Sequence, residues 1–178
     1  MLKIVTVPNK LLSQETKPVK NFDKKLENII KEMTETLNAQ NDPPGVGLAA
    51  NQVGLNLSLF ITKPTEKSKI KVFVNPKIIR TVLDKDSPSK KKKSLVKFEG
   101  CLSIPRIWGP VKRANKILLR YQDETGKEYE KWFTGFEAVI IQHEVDHLQG
   151  IVFTQRSLEQ KQKLYKENKK RELEEIKI

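Results

Sequence analysis

Apolar residues recur at three- and four-residue spacing between Asn21 and Gln40: Phe22, Leu26, Ile29, Met33 and Leu37. That spacing lines one face of a helix, with Asn21 placed to cap its start. Asp42-Pro43-Pro44-Gly45 must end it, because two prolines remove donors and clash with a helical backbone. A small-residue loop follows, Gly45-Val46-Gly47-Leu48-Ala49-Ala50-Asn51-Gln52. The pattern then changes to short β-type runs at 57–62, 70–75 and 77–83. Two more lie at 117–122 and 128–133, parted by the turn residues Asp123-Glu124-Thr125-Gly126. Residues 84–94, with lysines from 90 to 93, read as an exposed loop or hairpin tip. A second helix is expected from Thr134, which stands at capping-box spacing from Glu137, and Gly150 can close it. The highly charged tail, 157–178, carries a thin apolar stripe (Leu158, Tyr165, Leu173, Ile176) and reads as a terminal helix with one weakly buried face. The order predicts an α+β fold: mixed or antiparallel strands around a central helix, with an N-terminal and a C-terminal helix.

At 178 residues, 37% hydrophobic and 31% charged, the chain has the make-up of one globular domain. Its apolar runs, such as Val139 to Ile141, are far shorter than the roughly 20 residues that span a bilayer. The first residues show no signal-peptide pattern. The single cysteine, Cys101, rules out an internal disulfide and fits a reducing compartment. The net charge of +12 has two readings, a solvated basic surface or attraction to a polyanion.

The chemistry concentrates in His143-Glu144-Val145-Asp146-His147. Helical residues four apart share a face about 6 Å apart along the axis, so two imidazoles there can share one metal ion. Glu144, beside the first, can serve a bound water as acid or base. Against this stands the plainer reading of two surface histidines on an amphipathic helix. The helix is apolar on much of its surface (Phe136, Val139, Ile140, Leu148), and no other histidine exists in the chain; both points favour an interior cleft. For a third ligand there is Cys101, in Glu99-Gly100-Cys101-Leu102-Ser103. Cys-His-His leaves one tetrahedral position open, as catalytic sites do. By itself, a free cysteine is more often a small buried hydrophobe. Asp146 is expected to orient a neighbour or to pair with a cation such as Arg113.

Three segments together resemble the signature motifs of peptide deformylases: Gly45 to Gln52, Glu99 to Ser103, and Gln142-His143-Glu144-Val145-Asp146-His147. Asn75-Pro76 and Ser103-Ile104-Pro105 also look like that family, and the likeness runs from Pro8 to about Phe153. It implies a catalytic domain over 1–156, with the tail 157–178 part of the same single domain. It further implies that Cys101, His143 and His147 hold one divalent metal ion, Fe(II) natively, with Zn(II) or Ni(II) as replacements. Glu144 would take a proton from the metal-bound water, and the hydroxide would attack the formyl carbon of an N-formyl-methionyl nascent peptide. Gln52 and the backbone N–H of Leu102 would face the formyl oxygen. Gly45 and Gly47 would let the backbone approach the peptide. Val46, Phe136, Val139 and Ile140 would line a pocket for the methionine side chain; plain core packing is the alternative for these four. The likeness points to a bacterial-type cytoplasm or an organelle, and to a ribosome contact through the tail lysines 161, 163, 166, 169 and 170 with Arg171. No membrane and no sequence-specific nucleic acid is expected as partner. Two features depart from the family's commonest pattern. The segment 84–97 is longer and more basic, and Lys97 stands where an apolar residue is often found.

Three rivals share some of these features. A zinc endopeptidase would use the same helix without Cys101. A basic RNA-binding protein would need clustered aromatic residues, and aromatics are only 7% of the chain. A metal-stabilised scaffold would need a fourth protein ligand.

Overall fold

The computed structural model describes residues 1–82 and 97–177, so the loop expected at 84–94 lies outside the described residues. Among the described residues three α-helices, α1 (Lys24–Asn38), α2 (Gly135–Leu148) and α3 (Phe153–Glu159), accompany nine strands. β1 (Gly47–Ala49), β2 (Leu59–Thr62), β3 (Lys71–Val82), β6 (Lys116–Gln122) and β7 (Glu128–Thr134) form one antiparallel sheet in the order β1-β2-β3-β6-β7. β4 (Lys97–Cys101), β5 (Ile104–Val111), β8 (Tyr165–Glu167) and β9 (Leu173–Glu175) form a second in the order β4-β5-β8-β9. The fold is α+β with α2 at its centre, as the element order predicts.

Alternation along β2 shows how the first sheet is sandwiched. Leu59 and Ile61 join Leu26, Met33 and Leu37 of α1 on one face, while Phe60 joins Ala138, Ile141 and Val145 of α2 on the other. With helices on both faces, all four β2 residues are buried. α2 is hemmed in on most sides, so it also buries Gln142, Glu144, Asp146 and His147. Gln142 answers that burial by gripping Ala114, accepting from its N–H at 3.0 Å and donating to its carbonyl at 2.8 Å. A smaller cluster, Ile104, Val111, Phe153 and Leu164, ties α3 to the second sheet.

Five expectations are corrected. The stretch 45–52, expected as a loop, holds β1 and a short 3-10 turn at Ala50–Val53, and the runs expected at 70–75 and 77–83 are one strand, β3. The side chain of Asp23, not Asn21, caps α1, accepting from the N–H groups of Lys25 and Leu26. Thr134 caps α2 without a side-chain bond, and Glu137 accepts instead from Lys71 Nζ at 2.5 Å. The tail is not a helix. After Glu159 it turns through Lys161 at φ 56°, runs out as β8, turns again near Arg171 at φ 64° and returns as β9. β8 is fixed by pairing with β5, Ile107 opposite Lys166 and Trp108 opposite Tyr165. The end of α2 behaves as expected. Gly150 has φ 72°, and a Cβ there would lie 2.6 Å from the backbone nitrogen of Gln14, so only glycine fits.

Candidate metal centre

One turn of α2 separates His143 from His147, and their ring centroids stand 4.9 Å apart. The turn after β4 brings Cys101 against them, with Sγ 3.2 Å from His147 Nε2. One ligand atom from each of the three lies within 4.8 Å of the others. Ligands of a tetrahedral ion at about 2.0–2.3 Å sit roughly 3.5 Å apart, so this soft sulfur and two imidazoles fit a divalent metal. Among the described residues no fourth Cys, His, Asp or Glu joins them, which leaves a position open and argues against a purely structural site.

Neighbours fix the ligands in place. His143 Nδ1 lies 2.8 Å from Glu99 Oε2, which turns the other ring nitrogen towards Cys101. Arg113 holds both Glu99 oxygens, at 2.8 and 2.9 Å, and reaches Asp146 at 2.5 Å; Arg156 grips Asp146 from the other side. The expected Arg113–Asp146 pair is therefore one link of a longer chain. Burial would push the Glu99 carboxyl up, but its bonds to Arg113 and His143 outweigh that and hold it at about 2. The Asn51 side chain donates to the His147 carbonyl at 2.5 Å and to the Leu11 carbonyl at 3.2 Å. The N-terminal segment adds two further ties, Val5 N–H to the Gln52 carbonyl and Val7 N–H to the Ser103 carbonyl.

Protonation favours the same use at His147 and Glu144; at His143 burial lowers the imidazole but its bonds to Cys101 and Glu99 outweigh that and raise it well above an ordinary histidine, so a bound ion must displace a proton there. Burial, then the charges of His143 and Arg113, lower His147 well below an ordinary histidine, so its lone pair stays free. Burial raises the carboxyl of Glu144 to about 7, the range of a working acid–base group. Its Oε2 is buried and has no hydrogen-bond partner among the described residues. Gly47 lies hard against Glu144; a Cβ there would come 2.3 Å from Oε1.

Gly45, Val46, Gly47, Gln52, Cys101, Leu102, Phe136, Val139, Ile140, His143 and Glu144 all line one cleft, so nearly every residue singled out in the sequence is gathered there. His147 is the exception, fully buried beneath the floor. Gln52 is held by its own oxygen, which accepts from Ala49 N–H at 2.9 Å, leaving Nε2 aimed at Cys101 Sγ (3.4 Å) and Ser103 Oγ (3.2 Å). β1 and β4 are terminal strands of the two sheets, and both border the cleft. Sequence reasoning gave no role to Glu99, Asn51 or Trp108, which also lines the cleft. Trp108 rests on Gly100, where a Cβ would lie 2.7 Å from the ring.

Residues 1–163 match the family model described as polypeptide deformylase. The chain belongs to the peptide deformylase family. A deformylase of Borreliella burgdorferi is 38% identical over 152 residues, 85% of either chain, and one of Desulfotalea psychrophila is 37% identical over 96% of either chain. Among solved structures, the Legionella pneumophila deformylase is 34% identical at a TM-score of 0.76, covering 88% of this chain and 85% of that one. The Thermotoga maritima deformylase is 33% identical at 0.76, covering 88% and 97%. The matched residues 1–163 include the metal helix, the first sheet, β4, β5 and the Cys101 turn.

Proposed function

We infer that the chain is a metal-dependent hydrolase that removes the N-formyl group from the formyl-methionine of newly made polypeptides and releases formate. The observation that carries this is the Cys101, His143 and His147 donor set, with Glu144 buried beside it in the same cleft. We assign Fe(II) as the native ion, with Zn(II) and Ni(II) as alternatives. When bound, such an ion supplies Lewis acidity, lowering the pKa of a water on it from about 15.7 to about 7.

The chain's own groups do the rest. Glu144 accepts the proton of the attacking water and returns it to the departing α-amine as the formyl C–N bond breaks. Gln52 Nε2 and the Leu102 N–H donate to the formyl oxygen while negative charge builds there, each donor being worth roughly 10²–10³ in rate. Gly45, Val46 and Gly47 offer backbone along the free edge of β1, where a peptide pairs as an added strand. Val46, Phe136, Val139 and Ile140 receive the methionine side chain. Residues 1–156 act as the catalytic part; the tail belongs with it, as the pairing of β8 with β5 supports.

A substrate of this kind exists at the ribosome, in a cytoplasm or organelle of bacterial type. We assign the tail a share in that encounter. Lys163 and Arg171 are tied to Glu175 and Asp42, so the contact falls to the exposed Lys161, Lys166, Lys169 and Lys170. The deciding experiment is formate release from a formyl-methionyl peptide by Fe(II)-loaded protein prepared without oxygen. No formate under those conditions would remove the reading.

A further inference from the structure

Lys97 and Glu99 stand two apart on β4, so their side chains leave the strand on one face. Glu99 meets His143 on α2. Lys97 meets the same helix further back, its Nζ 5.0 Å from the centre of the Phe136 ring. Seven residues separate Phe136 from His143, two helical turns or about 10 Å along the axis. Val139 and Ile140 lie on the helix between them and line the cleft. One wall of the cleft is therefore apolar from the metal ligands outward and finishes in an ammonium group. Phe136 is 46% exposed, so this end is open to solvent. Among the described residues Lys97 forms no ion pair; Glu137, next to Phe136, is taken by Lys71.

In the proposed function, on which the role of Lys97 rests, the formyl group sits at the metal ligands and the first side chain runs along Val139 and Ile140. The methionine sulfur is the fourth atom beyond the formyl nitrogen, which carries it towards Lys97. Oxidation of that sulfur turns an apolar thioether into a polar sulfoxide. A wholly apolar pocket would reject the S=O group, because its hydrogen bonds to water would go unreplaced. A lysine ammonium replaces them with a charge-assisted bond.

We propose that Lys97 makes the outer end of this pocket a hydrogen-bond donor, so that the enzyme also deformylates chains whose formyl-methionine has been oxidised to the sulfoxide. The step is unchanged: water adds at the formyl carbon, the C–N bond breaks, and formate and a free α-amine leave. The sulfoxide is neither formed nor reduced, so no redox partner is needed.

The test compares kcat/KM for formyl-Met-Ala-Ser, its two sulfoxide epimers and formyl-norleucine-Ala-Ser in the native chain, Lys97→Leu and Lys97→Arg. In the native chain at least one epimer is expected within roughly tenfold of methionine. In Lys97→Leu the sulfoxide-to-norleucine ratio should fall roughly tenfold or more, mainly through KM, the loss expected for one hydrogen bond to a charged donor. Lys97→Arg should restore most of it. A native enzyme that turns over neither epimer overturns the proposal, and so does an equal ratio in the native chain and Lys97→Leu. No formate from formyl-Met-Ala-Ser would instead strike the deformylase function itself, and the role of Lys97 with it.

Discussion

Glu99 Oε2 lies 2.8 Å from His143 Nδ1, and the same carboxylate is clamped by the Arg113 guanidinium. A metal-binding histidine held in this way keeps one tautomer and one ring orientation. Glu99→Ala should therefore weaken metal affinity by roughly 10–100-fold, as the removal of such supporting carboxylates does. Competition with a chelator of known affinity measures this. A variant that holds its metal as the native chain does would show that Glu99 serves only to satisfy Arg113.

Cys101 supplies the one sulfur of the donor set. Cys101→Ala is expected to leave two imidazoles and to bind Fe(II) or Zn(II) far more weakly, with less than one ion per chain after gel filtration. Metal analysis decides it; full stoichiometry in that variant would remove the thiolate from the set.

Glu144 and Gly47 should fail in the same way for different reasons. Glu144→Gln keeps the ligands and removes the acid–base group, for a loss of roughly 10²–10⁴ in kcat. Gly47→Ala leaves Glu144 in place chemically but puts a methyl carbon 2.3 Å from its Oε1, so the carboxylate must move. A shift near 1 Å costs about 10²-fold. Both variants should remain metal-replete, and formate release with metal content measured on the same sample checks both. Normal turnover by metal-replete Gly47→Ala would mean that the position of Glu144 does not matter.

If the tail meets ribosomal phosphates, replacing Lys161, Lys166, Lys169 and Lys170 with Gln should lower ribosome affinity. It should also flatten the dependence on salt, by a log–log slope of roughly 0.7–0.9 for each phosphate no longer neutralised. Substitution serves better than truncation here, because Leu164 belongs to the core under α3. Turnover of a short formyl peptide is the control for folding. An unaltered slope would leave the tail without a docking role.

Local pattern carried the longer elements of this fold, and the misreading of the tail has a definite cause. α1 was legible from apolar residues at helical spacing, α2 from its bounding Thr134 and Gly150, and β2, β3, β6 and β7 from short β-type runs between turn residues. β8 was not, because what makes it a strand is Trp108 opposite Tyr165, a partner 57 residues away by number. Lys161 and Arg171 also take positive φ, a conformation that charge spacing does not reveal. In the site, the two histidines stood out by their spacing and their number, while Cys101 joined them only through the likeness of its motif to the deformylase family. Glu99 was not legible, because nothing in the sequence says which of 22 acidic residues will meet His143.

β1 and β4 end their sheets, and both border one cleft. In the proposed function, a peptide lying along them would be read chiefly through its amides, which every residue but proline supplies in the same form. Beyond its first side chain, the identity of a new protein would then be nearly invisible to such a site. One site of this kind would serve chains of many sequences, and any sequence preference would have to be imposed from the rim.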